Sequence, residues 1–182
     1  VSATPIEIND PRFEEQGFQI LKVKPTFEYK RDINQWITNN LLQTVKEVLA
    51  KVEDKTCFLF CNSTDMIYAL MKQLNILDKS AVFCSDKSVD KLKGLKFKSA
   101  YSTWGENNMK HYNWLTSRFY NAVDIEINEC PNVLFLTDCY IAEYTMFDPN
   151  TDIIKCAGRF RNGITSLSLI SNINKDFPIR NR

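Results

Sequence analysis

The stretch that decides the fold reads Thr56-Cys57-Phe58-Leu59-Phe60-Cys61, and the polar residues Asn62-Ser63-Thr64 follow it at once. A short run that is apolar at every position is typical of a central strand in a parallel sheet, because such a strand is buried on both faces. Ser63 or Thr64 is a suitable cap for a helix, and apolar residues recur behind them at helical spacing from Ile67 to Leu74. The segment therefore predicts a strand, a polar turn and a helix.

The same pattern repeats along the chain. Further apolar runs predict strands at residues 18–23, 81–84, 98–101, 112–116, 133–137 and 164–170. Between them, helices are predicted at residues 33–52, 85–92 and 152–157; in the first, apolar residues recur every four positions from Ile33 to Leu49. Because strands that alternate with helices favour βαβ units, we expect a three-layer α/β/α fold with a mostly parallel sheet.

Composition limits the classes of function. The chain has 182 residues and 44% hydrophobic content, which is enough for one sizeable core. It carries 23 basic and 22 acidic residues, so any contact with nucleic acid must come from a local patch and not from the overall charge. The sequence has no signal peptide and no apolar run long enough to span a bilayer, so we expect a cytoplasmic protein without membrane contact.

The six cysteines do not predict a metal site. None of them forms a C-x-x-C pair, and His111 is the only histidine. A structural zinc site needs four nitrogen or sulfur ligands, usually in two close pairs. We therefore expect no metal ligands, and buried free thiols in a reducing compartment.

Ligands of parallel α/β folds bind at the carboxyl ends of the strands, so the polar residues there are the candidates for function. Residues 155–163 include Gly158, Arg159 and Arg161. This segment resembles motif VI of superfamily 2 (DEAD/DEAH-like) helicases, whose pattern is Q-x-x-G-R-x-x-R. Lys155 stands where the family has Gln, and Arg161 comes one residue before the family's second arginine.

The motif VI resemblance implies that Arg159 is an arginine finger and that Arg161 is a second catalytic arginine. Gly158 would let the backbone approach the nucleotide. An arginine presents a permanently charged, planar fork that can hold a γ-phosphate as charge develops in phosphoryl transfer. The sequence around Arg159 also resembles helicases of mobile elements and viruses.

Three other segments resemble helicase motifs in the family order. Ser2-Ala3-Thr4 resembles motif III, which implies that Ser2 and Thr4 couple two lobes. Residues 58–63 resemble motif IV, which implies that Asn62 and Ser63 contact a nucleic-acid backbone.

Residues 115–125 resemble motif V. This implies backbone contacts from Thr116 and Ser117, and a role for Asp124 at the nucleotide ribose or in coupling. The family's glycine is replaced by Ala122 or Val123, depending on the alignment.

The resemblance implies a domain organisation. Residues 1–17 would hold the end of motif III and a linker, residues 18–171 a RecA-like (P-loop NTPase-like) C-terminal helicase domain, and residues 172–182 a basic tail. Residues 155–182 hold six basic residues and one acidic residue, a net charge of +5. Val1 is not an initiator methionine, so we expect a first RecA-like lobe before it in a longer protein.

The sequence contains neither a G-x-x-x-x-G-K-[ST] loop nor a D-E-x-H motif, so the first lobe would supply most of the site for ATP and Mg²⁺. We do not expect this chain alone to hydrolyse ATP or to bind it tightly. The expected partner is nucleic acid, with DNA favoured over RNA.

Two alternatives remain open. The first is a non-catalytic RecA-like scaffold or regulatory module, which the departures at Lys155 and Ala122 favour. The second is a flavodoxin-like binding domain, which would need a phosphate-binding first loop that is not evident in the sequence.

Overall fold

A computed structural model describes residues 10–19, 32–52, 54–120, 123–140 and 143–172. These residues form seven strands: β1 (Asn34–Thr38), β2 (Cys57–Phe60), β3 (Ser80–Phe83), β4 (Ala100–Tyr101), β5 (Tyr112–Leu115), β6 (Asn132–Thr137) and β7 (Ser166–Asn172). They also form five α-helices: α1 (Pro11–Glu15), α2 (Leu41–Lys51), α3 (Thr64–Gln73), α4 (Asp86–Gly94) and α5 (Asp152–Ala157).

The seven strands form one sheet in the order β1-β7-β6-β2-β5-β3-β4, and all of their pairings are parallel. The predicted α/β class is therefore confirmed. Since β2 lies at the centre of the sheet, the apolar run that predicted a central strand forms one.

The side chains of β2 alternate between two hydrophobic cores. Cys57 and Leu59 pack with the apolar faces of α2, α3 and α4 on one side of the sheet. Phe58 and Phe60 pack on the other side with α5 and with Ile125. Because all four β2 side chains are fully buried, the sheet must be covered on both faces, and the predicted three-layer arrangement is confirmed.

Polar residues end the central strands and begin the helices. The Ser63 hydroxyl oxygen caps α3 by accepting a hydrogen bond from the backbone N–H of Met66 at 3.3 Å. The Ser85 hydroxyl oxygen caps α4 in the same way, with the N–H of Ser88 at 3.4 Å. Both caps lie at the carboxyl edge of the sheet, where the chain passes from strand to helix.

The predicted helix at residues 33–52 is wrong in its first part. Residues Asn34–Thr38 form β1, which pairs with β7, and the helix begins only at Leu41. Asn40 starts it, because its side-chain oxygen accepts from the N–H of Gln43 at 3.1 Å. Ile37 matched the helical spacing, yet it lies exposed on an edge strand. Over these few residues, the spacing of apolar side chains does not distinguish a strand from a helix. Pairing with β7 therefore decided that they form a strand.

Several predicted features lie outside the described residues. They are Ser2 and Thr4 of the motif III-like segment, the predicted strand at 18–23 beyond Gln19, and the tail from residue 173 onward. Within the described ranges, no helix is long and apolar enough to cross a membrane.

The role of burial can be tested with two isoleucines on helices. Ile67 of α3 is 0% exposed and Ile154 of α5 is 48% exposed. Ile67→Ala leaves a cavity in the core, so we expect it to lower the free energy of unfolding by about 2–5 kcal/mol. Ile154→Ala should change it by about 0.5 kcal/mol or less. Urea unfolding followed by circular dichroism measures the free energy of unfolding of both variants. Equal losses would contradict the burial of Ile67 in the core.

Candidate functional site

The motif V-like and motif VI-like segments are joined through their backbones. The N–H of Ile125 donates to the carbonyl oxygen of Arg159 at 2.8 Å, and the N–H of Arg161 donates to the carbonyl oxygen of Ile125 at 3.1 Å. These bonds form an isolated parallel bridge between Ile125 and Phe160, both of which are buried in the core beneath. The bridge brings Asp124 beside Arg159 and Arg161.

These three charged side chains form what we call the arginine cluster. One carboxylate oxygen of Asp124 lies 2.7 Å from Nη2 of Arg161 and 3.4 Å from Nη1 of Arg159. Nη1 of Arg161 also donates to the carbonyl oxygen of Gly158 at 3.4 Å. The shorter distance is typical of a charge-assisted hydrogen bond, whereas the Arg159 contact lies at the limit of one. Asp124 therefore holds Arg161 firmly and Arg159 loosely.

Arg159 has an unfilled capacity to donate. Its side chain is 27% exposed, less than that of Arg161 or Asp124. Its Nε is buried, with no hydrogen-bond partner among the described residues. Leaving a buried donor without an acceptor is costly. Two guanidinium groups against one carboxylate also leave the cluster a net charge of +1, which favours an anionic ligand.

The arginines keep Asp124 ionised. The hydrogen bond from Arg161 is the largest cause that lowers the pKa of Asp124, with smaller contributions from the charge of Arg161 and from Arg159. Partial loss of water around the carboxyl group opposes this shift. Since the net direction is down, Asp124 stays a carboxylate at neutral pH.

The turn after the arginine cluster depends on residues that sequence analysis did not select. Nδ2 of Asn162 donates to the carbonyl oxygen of Ile127 at 2.8 Å, which anchors this turn to the neighbouring segment. Gly163 has a φ of +93°, where other residues are strained. Gly158 ends α5 with an ordinary φ of −68°. The Asn-Gly pair was a turn signal visible in the sequence.

A second group of predicted residues lies at the carboxyl edge of the sheet. Oδ1 of Asn62 accepts from the N–H of Ser117 at 3.2 Å, and Nδ2 of Asn62 donates to the carbonyl oxygen of Tyr144 at 3.3 Å. Asn62 is half-buried and Ser117 is exposed. The structure therefore brings together the turns that follow β2 and β5, with Ser117 at the surface.

The other two residues predicted at this edge are buried. The hydroxyl of Ser63 caps α3, and the hydroxyl of Thr116 donates to the carbonyl oxygen of Phe83 at 3.4 Å. Both hydroxyl groups are thus engaged within the fold. Asn62 keeps a second Nδ2 proton and Ser117 is exposed, so these two are the better placed pair for an external ligand.

The cysteines are buried thiols in four of six cases. Burial raises the pKa of Cys61 and of Cys156 to about 12, so both stay protonated at neutral pH. Cys130 is exposed and Cys139 is intermediate. Among the described residues, no group of three or more His, Cys, Asp or Glu side chains could hold a metal ion.

Comparisons of the chain with protein families, with curated proteins and with solved structures found no match.

Arg161 lies closer to Asp124 than Arg159 does, so removing Arg161 should change the pKa of Asp124 more. Arg161→Ala should raise the pKa of Asp124 toward its ordinary value of about 3.9, and Arg159→Ala should raise it less. A ¹³C NMR titration of the side-chain carboxyl carbon measures both. Asp86 is an internal control, because its pKa is lowered by Ser102 and Arg118 and should stay the same in both variants.

The lowered pKa also sets the sign of a stability effect. A carboxyl group with a lowered folded-state pKa stabilises the fold above its unfolded-state pKa, and it loses this effect as pH falls through the folded-state pKa. Near pH 7, wild type should therefore be more stable than Asp124→Asn by a constant free energy of unfolding. The two proteins should converge in stability below about pH 4. A difference that grows on acidification would contradict the assignment.

Proposed function

We propose that this chain is the second RecA-like lobe of a superfamily 2 helicase or translocase, and that Arg159 is its arginine finger. The observation that carries the proposal is the state of Arg159. Its contact with Asp124 is long, and its buried Nε has no acceptor among the described residues. Such a guanidinium can turn to the phosphate of a nucleotide at low cost.

The two arginines would have different roles. In phosphoryl transfer, negative charge spreads over the oxygens of the transferred phosphoryl group, and a preorganised cation stabilises that charge. Arg159 would exchange its 3.4 Å contact with Asp124 for a phosphate oxygen. Arg161 would keep its 2.7 Å bond to Asp124 and hold the carboxylate in place. The Ile125–Phe160 bridge would fix the position of both arginines.

ATP and Mg²⁺ would bind mainly to a first lobe. Mg²⁺ supplies charge neutralisation at the β- and γ-phosphates when it is bound. The described residues of this chain offer no cluster of carboxylates for a metal ion, but they do offer the arginine cluster for an anion. This lobe would therefore complete an ATP site and would not form one by itself.

The carboxyl edge would contact the nucleic-acid strand. The Asn62 amide and the exposed Ser117, which lie together after β2 and β5, would make this contact. Contacts of this kind go to the phosphate backbone and position a strand without selecting its sequence. DNA remains the favoured strand. The buried free thiols suit a reducing compartment such as the cytoplasm.

The arginine cluster also offers some support for the scaffold alternative. Asp124 already contacts both arginines, so a lobe that never meets ATP would be stable as it stands. Lys155 and Ala122, which depart from the helicase pattern, are compatible with such a module. A measurement of ATP hydrolysis distinguishes the helicase lobe from the scaffold module.

The test is ATP hydrolysis by the full-length protein, measured with and without single-stranded DNA or RNA. Arg159→Ala should lower the stimulated rate at least about a hundredfold, because an arginine finger contributes about 3 kcal/mol or more to the barrier. Arg159→Lys should recover only part of this rate, since lysine lacks the planar fork. Lys46→Ala is the control, because it removes one exposed cation from α2, on the opposite face of the sheet from the arginine cluster.

Two results would count against the proposal. A wild-type protein with no stimulated hydrolysis would support the scaffold alternative. An Arg159→Ala variant as active as Lys46→Ala would overturn the finger assignment. Circular dichroism of each variant shows whether a lost rate reflects lost folding.

A further inference from the structure

A cavity of about 240 Å³ opens at the amino edge of the sheet. The proposed nucleic-acid contacts at Asn62 and Ser117 lie at the opposite, carboxyl edge. The lining of the cavity includes Lys96, Lys98, Lys110 and Asp78. Asp78 lies just before β3, Lys98 just before β4 and Lys110 just before β5. The starts of three neighbouring parallel strands therefore bring three lysines to one opening.

The positive charge around this cavity is concentrated. Residues 87–98 contain five lysines and one aspartate, a net charge of +4 in a chain whose total is +1. Lys96 and Lys98 form no ion pair with any described residue. Nζ of Lys110 donates to the carbonyl oxygen of Asp78 at 2.8 Å, which leaves two of its three protons to donate. Lys91 is paired with Asp65, so among the described residues it is the charges of Lys96 and Lys98 that no ion pair neutralises.

The backbone at Lys96 suggests that its side chain serves a purpose. Lys96 has a φ of +64°, a left-handed conformation at the end of α4 that glycine adopts without steric cost. Its N–H donates to the carbonyl oxygen of Lys93 at 2.9 Å, and the N–H of Phe97 donates to that of Leu92 at 3.0 Å. The turn thus favours glycine, yet the chain carries a lysine there. An unfavourable residue at such a position points to a role for its side chain.

The size of the cavity and the charge pattern indicate the ligand. Pockets for drug-sized ligands occupy about 300–1,000 Å³, so a cavity of about 240 Å³ suits a phosphate group better than a whole nucleotide. Lys87 and Lys91 lie one turn apart on the same side of α4, so further cations flank the cavity, although Lys91 is paired with Asp65. A row of cations suits a chain of phosphates. Lysine is a compact point charge that binds phosphate without reading bases.

We propose that the lysine surface formed by Lys96, Lys98, Lys110 and the outer side of α4 binds the phosphate backbone of a nucleic-acid strand, independently of sequence. It is a second strand contact, at the opposite edge of the sheet from Asn62 and Ser117. The inference rests on the proposed function, because it assumes that this lobe acts on nucleic acid.

The test uses the 182-residue chain and fluorescence anisotropy of labelled single strands, one of thymine only and one of mixed sequence, at several salt concentrations. The variant is Lys96→Gly with Lys98→Gln. The matched control is Lys46→Gln with Lys51→Gln, which removes the same charge from α2, at the other end of the sheet. Thermal unfolding of each protein accompanies the binding data.

We expect the Lys96 and Lys98 variant to bind both strands at least about fivefold more weakly at low salt. Its slope of log affinity against log salt should be smaller by about 1.4, since each lost phosphate contact on a single strand contributes about 0.7. The α2 control should bind as the wild type does. The variant should unfold no earlier than the wild type, because glycine fits the left-handed position.

Equal losses in the variant and the control would overturn the site, since they would show a diffuse effect of charge. The same holds if inorganic phosphate binds to the lysine surface while strand affinity is unchanged in the variant. A wild-type chain that binds no strand would overturn this inference, whereas the proposed function fails only if the full-length protein shows no stimulated hydrolysis. If the wild type binds and the variant binds equally well, only this inference fails. If the variant loses binding while Arg159→Ala keeps full ATPase activity, the surface stands and the finger assignment fails.

Discussion

The burial of β2 on both faces is the constraint on which the rest of the structure depends. Its four side chains alternate between two cores and are fully buried, so helices must cover the sheet on each side. The neighbouring strands all pair in parallel, so crossovers must join those that follow one another in the chain. Most buried side chains of the strands are apolar, with exceptions such as Asn113 and Ser168, and the polar side chains of the candidate sites lie where the strands end. Both groups of strand-end residues, around Asn62 and around Lys98, are consequences of this arrangement.

The arginine cluster has a different origin, because backbone pairing away from the main strands creates it. Asp124 and Arg159 come from two loops that cross the same face of the sheet, and the Ile125–Phe160 bridge aligns them. The buried side chains of Ile125 and Phe160 anchor the bridge in the core. Charged groups are thus held on the surface by apolar contacts beneath them. Asp124 offsets the repulsion between Arg159 and Arg161, so the two like charges can lie close together.

The two cationic surfaces differ in chemistry as well as in place. The arginine cluster is partly buried, contains a carboxylate and offers planar donors, which suits a single phosphate at a defined position. The lysine surface offers mobile donors, and Lys96 and Lys98 form no ion pair with any described residue, which suits loose contact with a polyanion. A nearly neutral chain can therefore carry two separate cationic surfaces, because positive charge is gathered locally in each.

Apolar runs and capping residues act over a few positions, so the sequence predicted the fold class, the central strand, α5 and a helix cap at Ser63 or Thr64, while the structure showed that Ser63 is the cap. The sequence also identified Asp124, Arg159 and Arg161 as candidates. Only the tertiary structure decided that residues Asn34–Thr38 form a strand, because pairing with β7 supplies the deciding contacts. It alone placed both arginines on one carboxylate and gathered three lysines at one cavity. Those groupings depend on distances between residues remote in the chain, which periodicity does not encode.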